Sequence, residues 1–192
     1  MRCLLTFVPP EQHLAAKEEV AEYKLHRNEP DDPEYRKFLN RLLRPLSQHL
    51  APASEGLDFG SGPGPTLSVM LTELGRRMTI YDPYFSPAPH IFEKQYDFIT
   101  ASEVVEHLRK PESDLNRLWA GLRPGGWLGI MTKLALGETA FARWHYKNDP
   151  THIIFFSRAT FEWLAENWQA RPIFVGRDVV LIQKPCGRLN PM

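Results

Sequence analysis

Two carboxylates and an imidazole crowd into the stretch SEVVEHL, as Glu103, Glu106 and His107. Two further imidazoles follow in WHYKNDPTHIIFF, as His145 and His152. On a helix beginning near Ser102, the first three fall at i, i+3 and i+4 and share one face. That face starts at the carboxyl end of a strand, where open α/β sheets hold their ligands, and a loop carrying His152 returns to the same end. Oxygen and nitrogen donors gathered in this way suit Mg, Mn, Fe or Zn. Without a metal, His152 or His107 is the best general base, because an imidazole titrates near neutrality. Glu103, Glu106, His107 and His152 are therefore candidate metal ligands, and His152 and His107 candidate catalytic residues.

A second constellation is the glycine run LDFGSGPGP, with Asp58, Gly60, Gly62 and Gly64 at every second position. A strand running into glycines and then a helix lets a ligand approach the backbone and offers it the free N–H groups of a helix start. Asp82 closes the next strand, TIYD, where a carboxylate can accept both hydroxyl protons of a ribose. Pro65 stands where a dinucleotide fingerprint needs its third glycine, which counts against a nicotinamide cofactor. Trp144, Tyr146, Phe155 and Phe156 either wall a substrate pocket or pack in the core.

These residues need a frame, and the hydrophobic pattern supplies one. Pro10 opens a modest helix over residues 10–26, and a turn-rich loop follows over 27–33. From Pro33, apolar residues recur at three- and four-residue steps as far as Leu50, a strong helix signal. Another helix follows the glycines and stops at Gly75. Strands are expected at 78–82, 96–102 and 127–133, with a helix starting at EVVEHL and continued by Leu115, Leu118, Trp119 and Leu122 up to the turn RPGG. A helix over 158–168 precedes a hairpin around Gly176-Arg177-Asp178. YFSPAPHIFEKQ, with two prolines, holds a loop or a single short turn. Strands alternating with helices predict an α/β fold: a mostly parallel twisted sheet, helices on both faces, and an antiparallel hairpin at one edge.

At 192 residues the chain has room for one domain with a full core, 1–192. Its 23 basic and 23 acidic residues balance, which leaves no electrostatic footprint for a long nucleic acid. Cys3 and Cys186 are the two cysteines, too few for a four-cysteine zinc site. No stretch nears the roughly 18 apolar residues of a membrane span. The start, MRCLLTFVPPEQH, reads as a structured edge and not a signal peptide. A cytoplasmic protein with no membrane partner is expected.

LDFGSGPG, YDP, YDFITASEVVEHL, LRPGGWLGI and the closing strand pair together resemble the class I S-adenosylmethionine-dependent methyltransferases, over residues 57–185. The resemblance implies a Rossmann-like core over 56–185 beneath a helical lid over 1–50, with S-adenosylmethionine as cofactor. It implies that Gly60, Gly62 and Gly64 line the methionine part, and that Asp58 orients the loop or reaches the cofactor's amino group. Asp82, followed by Pro83, would hold the ribose, and Ala101, Ser102 and Glu103 would flank the sulfonium. The usual adenine-reading position has no counterpart in the short segment after YDP. E-x-x-E-H followed by H-x-x-F is similar to the metal-binding arrangement of small-RNA 3′-terminal ribose methyltransferases. It is also similar to ubiquinone-pathway O-methyltransferases, so a divalent metal, Mg or Mn, joins the expected cofactors. N-methyltransferases of this kind often carry Asn- or Asp-Pro-Pro-Tyr where this chain reads ASEV, which favours an oxygen acceptor on a small molecule. Two other classes stay open: a non-catalytic cofactor-binding partner subunit, and a nicotinamide-binding Rossmann protein.

Overall fold

In the computed structural model, which describes residues 3–25 and 28–187, the buried strand runs assemble into one six-stranded sheet. In chain order the elements are β1 (Thr6–Phe7), α1 (Ala16–Tyr23), α2 (Pro33–Ser47), β2 (Glu55–Phe59) and α3 (Thr66–Glu73). Then come β3 (Arg77–Tyr81), β4 (Tyr96–Ser102), α4 (Pro111–Ala120), β5 (Leu122–Met131) and α5 (Glu138–Ala142). The chain closes with β6 (Ile154–Phe155), α6 (Arg158–Asn167), β7 (Pro172–Val175) and β8 (Val179–Gln183). The sheet order is β3-β2-β4-β5-β8-β7. β3, β2, β4 and β5 run parallel, and β8 pairs antiparallel with both β5 and β7.

Side-chain alternation divides the core into two layers. Ile99 of β4 and Val180 and Ile182 of β8 pack with Leu115 and Leu118 of α4 and Phe161 of α6. Their neighbours Phe98, Val179 and Leu181 point the other way, onto Leu39, Leu42 and Leu46 of α2 and Met70 of α3. Strands buried on both faces read as continuous apolar runs, as VVLI does here. Asp32 starts α2 by accepting the N–H groups of Glu34 and Tyr35 at 2.9 and 3.2 Å. The helices thus lie on both faces of a mostly parallel sheet, with the hairpin at its edge.

Three local expectations need correction. RPGG is not a turn between elements but a bulge inside β5. Tyr96 pairs with Leu122 and Phe98 with Trp127, so residues 123–126 loop out of the ladder. Arg123 fixes that bulge by donating to Asp97 at 2.8 Å and Glu55 at 2.7 Å, and Gly125 takes φ +79°. EVVEHL does not start an α-helix: Glu103 lies at φ +52° and only Val105–His107 form a single 3₁₀ turn. The expected helix over 10–26 is a 3₁₀ turn at Pro10–Gln12 followed by α1; His26 lies outside the described residues.

The segment between β3 and β4 holds one 3₁₀ turn, Pro89–Glu93, so β3 forms the sheet edge. The N-terminal stretch is structured: β1 pairs antiparallel with β6, and Val8 N–H donates to Ile153 O at 2.8 Å. Among the described residues, no helix is long and apolar enough to cross a membrane.

Candidate functional site

The carboxyl ends of β2, β3, β4 and β5 open onto a cavity of about 710 Å³, within the range of small-molecule sites. Its floor begins with the turn after β2. Gly60 and Gly62 sit at φ +74° and +63°, conformations that other residues rarely adopt. A Cβ on Gly60 would come within 2.5 Å of Val104. Gly60 N–H and Ser61 N–H both donate to Tyr81 O, at 2.7 and 3.1 Å, which ties the turn to the end of β3. Asp82, nearly buried on the cavity wall, accepts Gly62 N–H at 3.0 Å on one oxygen. Its other oxygen accepts Tyr84 N–H at 2.8 Å and Phe85 N–H at 3.0 Å. This one carboxylate therefore holds two loops in register, and the exposed Pro83 beside it lines the same wall.

Beyond β4 the wall becomes acidic. The Tyr146 hydroxyl lies 3.2 Å from Glu103 Oε2 and is also hydrogen-bonded to Glu106 Oε1. A phenol has one proton to donate, so both contacts are satisfied together only when one carboxyl is itself protonated and donates back. Burial, and then repulsion by Glu106, pushes the Glu103 carboxyl well above its ordinary range. Burial likewise pushes Glu106 up, and the two titrate as a pair. Ser61 Oγ, Ser102 Oγ and Glu103 Oε1 are buried at this cavity without a hydrogen-bond partner among the described residues. Buried polar atoms are ordinarily paired, so these three mark where a polar ligand belongs.

The imidazoles stand opposite. His107 Nδ1–H donates to Thr151 O at 2.9 Å and His152 Nδ1–H to Tyr146 O at 2.7 Å, with ring centroids 4.8 Å apart. Carbonyls only accept, so each contact puts the proton on Nδ1. Burial, reinforced by His107, lowers His152 to about 4. Ligand atoms of Glu106, His107 and His152 lie within 4.8 Å of one another. Glu103 stands outside that group, so three of the four expected metal ligands converge.

The roof comes from the N-terminal helices. Glu19 of α1, 6% exposed, accepts Tyr23 Oη–H at 2.8 Å, Tyr84 Oη–H at 3.1 Å and Arg109 Nη2–H at 3.1 Å. Asn28 O accepts Thr66 Oγ1–H at 2.9 Å, and a Cβ on Gly64 would collide with the same Asn28 carbonyl. Tyr23 and Tyr35 both line the cavity.

Residues 27–171, more than half of the chain, match the family model described as a methyltransferase domain. The chain belongs to the class I S-adenosylmethionine-dependent methyltransferases. Solved structures share its fold. The 1,6-didemethyltoxoflavin-N1-methyltransferase of Burkholderia thailandensis, bound to 1,6-didemethyltoxoflavin and S-adenosylhomocysteine, is 18% identical with a TM-score of 0.62. That match covers 94% of this chain and 95% of that one. A SAM-dependent methyltransferase from Archaeoglobus fulgidus is 17% identical with a TM-score of 0.59, over 78% and 94% of the two chains. The PH0226 protein of Pyrococcus horikoshii OT3 is 14% identical with a TM-score of 0.59, over 86% and 98%. No curated protein matches the chain in sequence.

Within this methyltransferase domain, Gly60, Gly62, Asp82, Pro83, Ser102, Glu103, His107 and His152 line the cavity. Asp58, Gly64, Ala101 and Glu106 do not. Asp58 is buried behind the turn, accepts Thr100 Oγ1–H at 2.8 Å, is raised to about 7 by burial, and does not line the cavity. Gly64 seats Asn28, and Ala101 is fully buried core. Of the four aromatics held open as pocket wall or core, Tyr146 lines the cavity, Phe155 and Phe156 are buried, and half-buried Trp144 packs on Tyr146 and Phe155 outside the cavity lining. Spacing gave no role to Ser61, Asn28 or Glu19: Asn28 meets Thr66, and Glu19 meets Tyr84 and Arg109, across long stretches of sequence.

Proposed function

We propose that the chain binds S-adenosylmethionine in this cavity and methylates an oxygen of a small molecule. The observation that carries the reading is the glycine turn with three unpartnered buried polar atoms beside it. Gly60, Ser61 and Gly62 would follow the methionine part, Asp82 with Pro83 the ribose, and Ser102 with Glu103 the sulfonium end. When bound, the cofactor supplies an activated methyl for in-line displacement, and the protein's task is alignment and removal of the acceptor's proton. ASEV at the end of β4, in place of an Asn- or Asp-Pro-Pro-Tyr, supports the oxygen acceptor.

His152 and His107 remain the imidazoles for the proton. His152, lowered to about 4, stays neutral throughout the working range. It accepts a hydrogen bond at any such pH and adds no rise in rate near neutrality. A rise through neutral to mildly alkaline pH belongs instead to the raised Glu103–Glu106 pair as it loses its shared proton. The neutral overall charge supports a small acceptor over a long nucleic acid, and a cytoplasmic location forms part of the same proposal.

One observation favours a metal-assisted variant, the convergence of Glu106, His107 and His152. Each imidazole gives Nδ1–H to a carbonyl, the support that metal-bound histidines commonly have, so these residues fit a divalent cation such as Mg or Mn. A cation there would supply Lewis acidity toward the acceptor oxygen. The test is transfer of labelled methyl from S-adenosylmethionine to a panel of phenols by the purified chain alone. Transfer unaffected by chelator supports the proton route. Transfer lost on chelation, restored by Mg or Mn, and absent in His152→Ala supports the metal. No transfer to any phenol, with cofactor bound, would favour the non-catalytic partner subunit.

A further inference from the structure

We propose that the methyl acceptor carries an oxyanion, a carboxylate or phosphate, seated on Lys133 with His145 beside it. The proposal rests on the methyltransferase reading above and names the chemical class of its substrate.

Lys133 lies just past the end of β5, at the carboxyl edge of the sheet, and His145 comes from the segment between β5 and β6; both line the cavity. Lys133 Nζ donates to His145 Nε2 at 3.2 Å. A ring nitrogen that accepts is unprotonated, so this contact is an ammonium bonded to a neutral imidazole. Lys133 is half-buried and has no carboxylate within ion-pair distance among the described residues. Its charge helps keep Glu103 ionised, but from beyond contact range.

The other strong cation of the cavity is different. Arg109 is already committed to Glu19 and to Leu14 O. Lys133 is thus the cavity cation with no carboxylate partner among the described residues, held in place 4.9 Å above the Tyr146 ring centroid. An oxyanion would accept the two remaining Nζ protons. Tyr146 joins the two halves of the site: its ring lies under Lys133 and its hydroxyl bonds Glu103 and Glu106. A compact acid could therefore place its oxyanion on Lys133 and its reacting group toward Glu103.

The test titrates the chain, saturated with S-adenosylhomocysteine, with two probe pairs: 3,4-dihydroxybenzoate against catechol, and phenyl phosphate against phenol. At least one acid should bind about ten-fold tighter than its neutral partner, as expected for charge-assisted hydrogen bonds. Which pair shows the preference tells carboxylate from phosphate. Lys133→Met should erase the preference and Lys133→Arg should keep part of it, while affinity for S-adenosylhomocysteine stays unchanged in both and reports an intact fold. Equal binding of acid and neutral partners in both pairs, no measurable binding of either acid, or a preference that survives Lys133→Met would overturn the proposal. Failure of S-adenosylhomocysteine to bind would instead overturn the parent reading, and the same acid comparison on the cofactor-free chain still decides this one.

Discussion

Tyr146 has one proton for two carboxylates, and the consequence reaches beyond the site. Glu103 and Glu106 are both raised by burial. A carboxyl raised on folding contributes stability that is fully present below its unfolded value and lost as pH climbs through its folded value. The chain should therefore lose stability from mildly acidic pH through neutrality, levelling off once both carboxyls have ionised in the folded state. Glu106→Gln keeps the shape and an acceptor for Tyr146 but cannot ionise. It should flatten that loss and recover on the order of 1 kcal/mol on the alkaline side. Thermal melts across pH would read this; parallel slopes in both proteins would count against it. The residues of this site were legible by type but not by geometry. SEVVEHL reads as a helix start, and nothing in a glutamate announces the left-handed backbone that Glu103 adopts. Glu106 and His107 meet His152 through a 3₁₀ turn and a distant loop, contacts that spacing within one segment cannot express.

Among the elements, α1 depends most on a single side chain. Glu19 receives hydroxyls from Tyr23 and Tyr84 and the guanidinium of Arg109, all of them lining the cavity. Arg109 is about half exposed, so its share is modest, and the buried carboxylate with its tyrosines carries most of the contact. Glu19→Ala should release α1: backbone exchange over α1 should quicken, and cofactor affinity should fall about ten-fold if the roof helps to retain it. Unchanged exchange over α1 would show that other contacts hold the helix.

The second anchor of the roof is Gly64. Gly64→Ala sets a methyl against the Asn28 carbonyl and should cost about 1–3 kcal/mol in chemical denaturation, as overpacking does. Element positions were mostly legible, since β4 coincides with YDFITAS and α2 follows its leucine stripe. RPGG misled because proline and glycine signal a turn, whereas Arg123 and its two carboxylates hold the loop as a bulge within one strand.

At the scale of the whole molecule, alternating strands and helices were enough to give the sheet, its helices on both faces and its antiparallel edge. The short, proline-bearing segment after β3 was enough to show that no further strand lies outside it. What the pattern could not give was the pairing of β1 with β6, two-residue strands without periodicity, or the path of the N-terminal segment over the cavity. That path closes the site, and the carboxyl edge of the sheet supplies its floor, so the central claim concerns what the enclosed space holds. Calorimetric titration with S-adenosylhomocysteine tests it most directly. The account predicts one-site binding, no comparable heat from NAD, and affinity reduced about ten-fold or more in Asp82→Asn, where a charged acceptor is lost. No binding of S-adenosylhomocysteine, or saturable binding of NAD in its place, would contradict it.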